Sequence, residues 1–311
     1  MRKLISIIIP AFNEEACVEE LASRLKQLFI LESRYEFEVV IVENGSLDAT
    51  WDLLKVIALE DRRFKIVKLS RNFRMDGGLT AGLSHISGDA CVLMTADLQD
   101  PPELISDFLR HWELGWENIY GIVTKRTGTN IIRRFNSRAF YWLAGRLTDG
   151  RIPQNASDFR LVDKKVYLAV REMQERNRFV RGLFAWTGFR SVGIPMVRPE
   201  RFGGVSNAPT LKVLDLAFKG IFAHSYKPLR MITILGGMIF LGAILSFALL
   251  VHKWITEGVP FPGYGLAVSI SLLALGTFGL MLGIISEYLG LVYEEVKGRP
   301  NYVVSETINF N

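Results

Sequence analysis

Short apolar runs, each ending in a cluster of polar residues, recur along the first part of the chain. Near the end they give way to two long stretches with no charge. Leu4 to Ile9 is the first run, with a loop at Pro10 to Asn13, and Phe37 to Val42, Phe64 to Leu69, Ala90 to Met94 and Ile119 to Thr124 repeat it. Runs of this length bounded by turn residues predict buried strands. Between them the spacing becomes helical: Val18, Leu21, Leu25 and Leu28 share one face, Asp48 stands where it caps a helix running to about Leu59, and Gly77 to Ile86 is a helix of small residues. Strand and helix alternate, which predicts an α/β fold: a mostly parallel, Rossmann-like sheet with helices on both faces and a ligand crevice at the strands' carboxyl ends.

The stretch from Cys91 to Glu103, CVLMTADLQDPPE, carries the clearest chemistry. An apolar run stops at Asp97, Gln99 and Asp100. Asp100 is expected to cap a helix that starts with Pro101 and Pro102, where no amide donor is needed, with Glu103 completing a capping box. That leaves Asp97 at the strand tip with no structural duty. Taken alone, an acid there is most often a solvated turn residue.

Beyond the fifth strand the pattern changes again. Lys125, Arg126, Arg133, Arg134, Arg138 and Arg146 alternate with Ile131, Ile132, Phe135, Phe140, Tyr141, Trp142 and Leu143. Such a segment suits a membrane interface, and a core helix with a solvated basic face fits this stretch equally well. Leu211 to Phe222 repeats the theme. Met231 to Val251 and Gly258 to Ser286 then run without charge, each longer than the roughly 20 residues that span a bilayer. They predict a transmembrane hairpin. Lys219, Lys227 and Arg230 before it, with Lys297 and Arg299 after it, place both ends, and with them the α/β domain, in the cytoplasm. The expected layout is a cytosolic α/β domain over 1–210, an interfacial helix over 211–228, two spans over 229–290 and a cytosolic tail over 291–311, a multi-pass protein of the cell membrane.

Composition narrows the chemistry. A mean hydropathy of +0.21 is high for a purely soluble chain, and a net charge of +5 suits an anionic membrane surface or phosphate-bearing ligands. No RNP, zinc-finger or basic-zipper pattern accompanies that charge, so nucleic acid is not expected as a partner. Neither GxGxxG nor GxxxxGK[ST] follows a strand, which counts against a dinucleotide oxidoreductase or a P-loop NTPase. Cys17 and Cys91 lie in apolar contexts, the four histidines are scattered, and the apolar run at the start is too short for a signal peptide.

Taken together, IIIPAFNEE (Ile7 to Glu15), VENGSLDAT (Val42 to Thr50), SRNF followed by LTAGL (Ser70 to Leu83), TADLQDPPE (Thr95 to Glu103) and SDFRLVD (Ser157 to Asp163) resemble the family 2 glycosyltransferases of the GT-A fold. Within these, the chain is similar to the polyprenyl-phosphate glycosyltransferases related to dolichol-phosphate mannose synthase and the bacterial GtrB glucosyltransferases. RFVRGLFAW (Arg178 to Trp186), the RPERFGG segment and the terminal hairpin extend the likeness over nearly the whole chain. The resemblance implies inverting transfer of a sugar from a nucleotide diphosphate donor, a UDP-sugar ahead of a GDP-sugar, to undecaprenyl or dolichyl phosphate. It implies Mg²⁺ or Mn²⁺ as cofactor, held by Asp97 and Gln99, and a nucleoside pocket lined by Pro10, Phe12, Glu14 and Asn44. Asp97 and Asp158 are the implied catalytic residues, with Asp158 on the acceptor side, and Arg126, Arg133, Ser137 and Arg201 match the positions that hold the acceptor phosphate. A homo-oligomer is expected.

Several positions depart from the family pattern. Thr95 stands where the first acid of an Asp-X-Asp motif is usual, Asn44 replaces the second acid of an Asp-Asp-Gly-Ser loop, and Val205 and Asn207 replace parts of a Glu-Ser-Lys stretch. Two alternatives stay open on these grounds. One is a non-catalytic membrane scaffold that binds a sugar nucleotide. The other is a processive polysaccharide synthase, against which stands the absence of a Gln-X-X-Arg-Trp stretch and of further spans.

Overall fold

The computed structural model describes residues 2–126, 156–176, 178–199, 227–257 and 264–310. Strand β1 (Leu4–Ala11) leads into helix α1 (Val18–Leu31), β2 (Glu36–Glu43) into α2 (Thr50–Glu60) and β3 (Phe64–Leu69) into α3 (Arg74–Ser84). β4 (Ala90–Leu93) is followed by a helical turn at Pro102–Leu104 and α4 (Ile105–Glu113). Then come β5 (Asn118–Arg126), β6 (Ala156–Asp163), α5 (Lys164–Glu172), α6 (Val180–Trp186) and β7 (Ser191–Arg198), and last α7 (Lys227–Glu257), α8 (Tyr264–Lys297) and β8 (Val304–Ile308).

The strands form one eight-stranded sheet in the order β7-β5-β6-β4-β1-β2-β3-β8. β1 pairs in parallel with β2 and β4, β2 with β3, and β5 with β7, whereas β6 and β8 run antiparallel to their neighbours. The apolar runs supply both faces of this sheet. Ile5, Ile7 and Ile9 with Val39, Ile41 and Val92 point to the layer containing Leu21, Leu25 and Phe108. Ile8, Val40, Val42, Cys91 and Leu93 point the other way, towards Leu79, Leu83, Tyr167 and Phe184. Strands buried on both sides have no polar face to show, which is why they read as continuous apolar runs.

α3 lies close against the sheet. A Cβ on Gly82 would come within 2.2 Å of the Ile8 side chain, and one on Gly78 within 3.0 Å of Pro10. The glycines therefore let the helix sit directly on β1. It starts three residues before the expected Gly77, at Arg74, whose backbone is left-handed (φ 63°).

Two compact units divide the chain. One comprises Met1–Gly220 and Gly298–Asn311, the other Ile221–Lys297. In the second unit α7 and α8 pack as an antiparallel pair: a Cβ on Gly236 would meet Met281, and Tyr288, later in α8, lies against Leu229, earlier in α7. The helices extend beyond the expected 229–290 at both ends. The residues expected as a separate tail behave differently again, since β8 completes the catalytic sheet along the edge of β3. Asn309 fastens it by donating from Nδ2 to the carbonyls of Ala58 (2.7 Å) and Phe64 (2.8 Å). The basic aromatic segment after Arg126 and the amphipathic segment Leu211 to Phe222 lie outside the described residues.

Candidate active site

The carboxyl ends of β1, β2 and β4 lie side by side, because these strands are adjacent and parallel. The start of β6 joins them at the same edge. Its antiparallel register pairs Leu93 with Arg160, so continuing two residues brings Asp158 level with Thr95. The end of β7 arrives there too, with Arg198 in register with Arg126 at the end of β5. Topology thus gathers the sequence's candidates Pro10, Phe12, Glu14, Asn44, Asp97, Gln99 and Asp158 along one rim. Arg133, Ser137 and Arg201 lie outside the described residues, and of Arg126 only the backbone, closing β5, is described.

Asp97 is buried at 4% exposure. The Thr95 hydroxyl stands 2.7 Å from its Oδ1, the same oxygen accepts from the Gln99 backbone N–H at 3.3 Å, and Leu98 between them takes a left-handed turn (φ 58°). Asp100, fully buried, does not cap the following helix. It closes the loop instead, accepting at Oδ2 from Thr95 N (3.1 Å), with the Thr95 hydroxyl 2.8 Å away, and at Oδ1 from Arg198 (3.2 Å). Burial raises its pKa against the pull of Arg198 and Thr95. Gln99 donates from Nε2 to the Pro199 carbonyl (3.3 Å), a second stitch between this loop and the end of β7.

On the nucleoside side the loops after β1 and β2 interlock. Asn13 accepts from Leu47 N at Oδ1 and donates its own N–H to Ser46 Oγ, while Glu14 N donates to Thr50 Oγ1. Asp48 lies one residue before the cap position and still accepts from Thr50 N (3.1 Å). Pro10 is buried in β1, whereas Phe12 is 37% exposed beyond it. Asn44, almost wholly buried, uses both ends of its amide on the start of α3: Oδ1 accepts from Phe73 N and Nδ2 donates to the Arg74 carbonyl, each at 2.9 Å. An aspartate could make only the first of these bonds. The amide at this position thus has a local use: it holds the carbonyl of Arg74, a residue in the left-handed region.

Asp158 carries the densest charge contacts. Arg181, in the first turn of α6, donates from Nε and Nη2 to its two oxygens at 2.8 and 2.5 Å. Burial pushes the Asp158 carboxyl up, but Arg181, with Arg160 and Arg198 behind it, holds it below the usual carboxylate range. Arg160 is itself buried, and this brings its pKa down to about 10. Asp76, in α3, accepts from Val180 N (2.9 Å), and burial together with the nearby Asp158 pushes its carboxyl up to about 6. Arg181, Arg198 and Asp76 were not expected from sequence. Arg181 lies within RFVRGLFAW and Asp76 between SRNF and LTAGL, so the signal was present without a partner to give it meaning.

The residues present suit a hard divalent cation of the kind that keeps waters and relies on substrate phosphates. Asp97 offers one buried carboxylate, Gln99 follows two residues on, and among the described residues no group of three His, Cys, Asp or Glu side chains forms a protein-only cage.

The model of the family described as "Glycosyl transferase family 2" matches residues 6–170, from β1 through α5. The chain belongs to glycosyl transferase family 2. It is a glycosyltransferase, with a GT-A-like α/β fold. It is 41% identical to an uncharacterized glycosyltransferase, sll0501, of Synechocystis, over 97% of this chain and 95% of that one. It is 37% identical to the uncharacterized glycosyltransferase YkcC of Bacillus subtilis, over 97% and 93%. A bactoprenol glucosyl transferase derived from prophage SfII of Shigella flexneri is 32% identical over 97% of this chain and 98% of its own.

Proposed function

We propose that this glycosyltransferase moves a sugar, with inversion, from a nucleoside diphosphate donor to a polyprenyl phosphate on the cytoplasmic leaflet of the cell membrane. The observation that carries the reading is the extent of the match to the bactoprenol glucosyl transferase, which runs through the apolar helices as well as the catalytic domain. A lipid acceptor accounts for the presence of both.

The chemistry follows from the rim. Pro10, Phe12, Glu14 and Asn44 would line the nucleoside pocket, and Asp97 with Gln99 would hold Mg²⁺ or Mn²⁺ against the diphosphate. When bound, that cation neutralises the leaving group. A lipid phosphate is already largely anionic at neutral pH, so it attacks without first losing a proton to a strong base. Arg126, Arg133, Ser137 and Arg201 are assigned to that phosphate, whose oxygens suit guanidinium forks. Asp158 would stand on the acceptor side.

Two observations support the membrane hairpin. α8 contains a segment long and apolar enough to cross a bilayer, Leu273–Lys297, and α7 carries a shorter one, Ile234–Leu249. In addition, β8, which follows α8, belongs to the same folded unit and the same sheet as β1 to β7, which precede α7. A chain that leaves one folded unit and returns to it crosses a bilayer an even number of times. Two spans, one for each helix, would return the chain to the side of the bilayer it left. The layout proposed is thus a cytoplasmic catalytic domain over 1–210, an interfacial segment over 211–228, and a helix pair leading back into the sheet.

The deciding experiment incubates purified protein with radiolabelled UDP- and GDP-sugars and undecaprenyl phosphate. Label in the lipid phase for one donor, lost in Asp97→Ala, is the expected result. Donor binding without lipid labelling from any sugar would overturn the reading.

A further inference from the structure

The pairing of Asp158 with Arg181 does not fit an acid waiting to receive a proton. A general base needs an oxygen that is basic and unclaimed at the working pH. Here each carboxylate oxygen accepts a charged N–H from the same guanidinium, the bidentate geometry in which such pairs are strongest. The pair is partly shielded, at 21% and 31% side-chain exposure, so solvent screens it only in part.

The surroundings point the same way. Among the described residues Asp158 faces Arg181 from α6, Arg160 from its own strand and Arg198 from β7, with Asp76 from α3 as a like charge. The root of Arg181 is fixed as well, because Val180 next to it donates its backbone N–H to Asp76. Such an arrangement holds a carboxylate still and keeps it ionised. The displacement has a use for that. As the bond to the diphosphate breaks, positive charge builds at the sugar centre, and a preorganised negative charge stabilises it without reorganising.

We propose that Arg181 is a positioning residue that fixes Asp158 as a permanent negative charge beside the sugar centre, so that Asp158 stabilises developing positive charge and takes no proton. The proposal rests on the transferase reading above for its substrate, and on the geometry of the pair for everything else.

The test compares Arg181→Gln and Arg181→Lys with the native residue, in full-length protein carrying Asp76→Asn, because the Asp76 carboxyl itself titrates near 6. With Arg181 present, lipid glycosylation should show no Asp158 ionisation from about pH 5 to 8. In Arg181→Gln the burial of Asp158 loses its main counterweight, with only Arg160 and Arg198 left to oppose it, so a new acid limb should appear, with about a tenfold loss between the top and the bottom of that range. Arg181→Lys, which keeps the charge, should restore most of the plateau. Infrared difference spectra on acidification supply a readout independent of turnover: a protonated-carboxyl band in Arg181→Gln that is absent with Arg181 and lost again in Arg181→Gln with Asp158→Asn. A profile in Arg181→Gln that is merely lower and parallel would overturn the proposal. So would a near-neutral limb with Arg181 present that Asp158→Asn removes, since Asp158 would then titrate as a base. Should no donor label lipid at all, the transferase reading falls, and the infrared titration still judges the Arg181–Asp158 pair.

Discussion

Thr95 has one hydroxyl proton and two carboxylates within reach, Asp97 at 2.7 Å and Asp100 at 2.8 Å. It ties Asp97, the acid proposed to hold the metal, to the loop-closing Asp100 where the family usually has a third carboxylate. With one acid in place of two, a cation is expected to bind mainly together with the nucleotide. Thr95→Asp should therefore lower the metal concentration needed for half-maximal transfer by about tenfold, or ~1.4 kcal/mol, and should let Mn²⁺ bind the nucleotide-free protein, as read by electron paramagnetic resonance. An unchanged midpoint in a folded variant would remove Thr95 from the metal's surroundings. Asp97→Ala should abolish transfer at any metal concentration. Asp76 allows a pH prediction. Its folded pKa, about 6, is above the unfolded value, so the native state binds the extra proton between roughly pH 4 and 6, and this contribution to stability is lost as pH rises through 6. Asp76→Asn should therefore melt higher than the native protein at pH 8, by on the order of 1–2 kcal/mol, with the gap closing towards pH 4. Asp97 was legible in the sequence because an apolar run ends on it. Asp100 was misread as a cap because its partner, Arg198, stands 98 positions away, and Arg181 carried no meaning until the β6 register placed Asp158 beside it.

At the level of elements, strands β1 to β4 were legible because burial on both faces leaves nothing but apolar residues. β8 was not. Its sequence, VSETI, is exposed through Ser305, Glu306 and Thr307, and only its position along β3 makes it a strand. The start of α3 was also obscured, since Arg74 adopts a backbone usually left to glycine and depends on Asn44 to hold its carbonyl. Asn44→Asp should cost about 1–2 kcal/mol, because the Arg74 carbonyl loses its donor next to a new charge. Circular dichroism melts would show it, and an unaltered melting temperature would mean that the bond contributes nothing. Gly82→Ala drives a methyl into Ile8 and should cost about 1–3 kcal/mol or more. Gly188, where a Cβ meets nothing within 4 Å, is no equivalent control because of its positive φ (71°).

For the molecule as a whole, the helix pair exposes Phe240, Leu241, Leu245, Phe247, Leu273, Phe278 and Leu280, each more than half accessible. A surface of this kind belongs against lipid or another protein. Alkaline carbonate should leave the full-length protein in the membrane pellet; release into the supernatant would refute the hairpin. The order of the chain has a further consequence. β8 emerges from the ribosome only after both long helices, yet it completes a sheet whose other strands were made before them. Until then β3 has an open edge, the kind of template that recruits stray strands. A message cut short after α8 would thus yield a product that keeps every candidate site residue but lacks Gly298–Asn311 and with them β8, an unfinished domain that cellular proteases would remove.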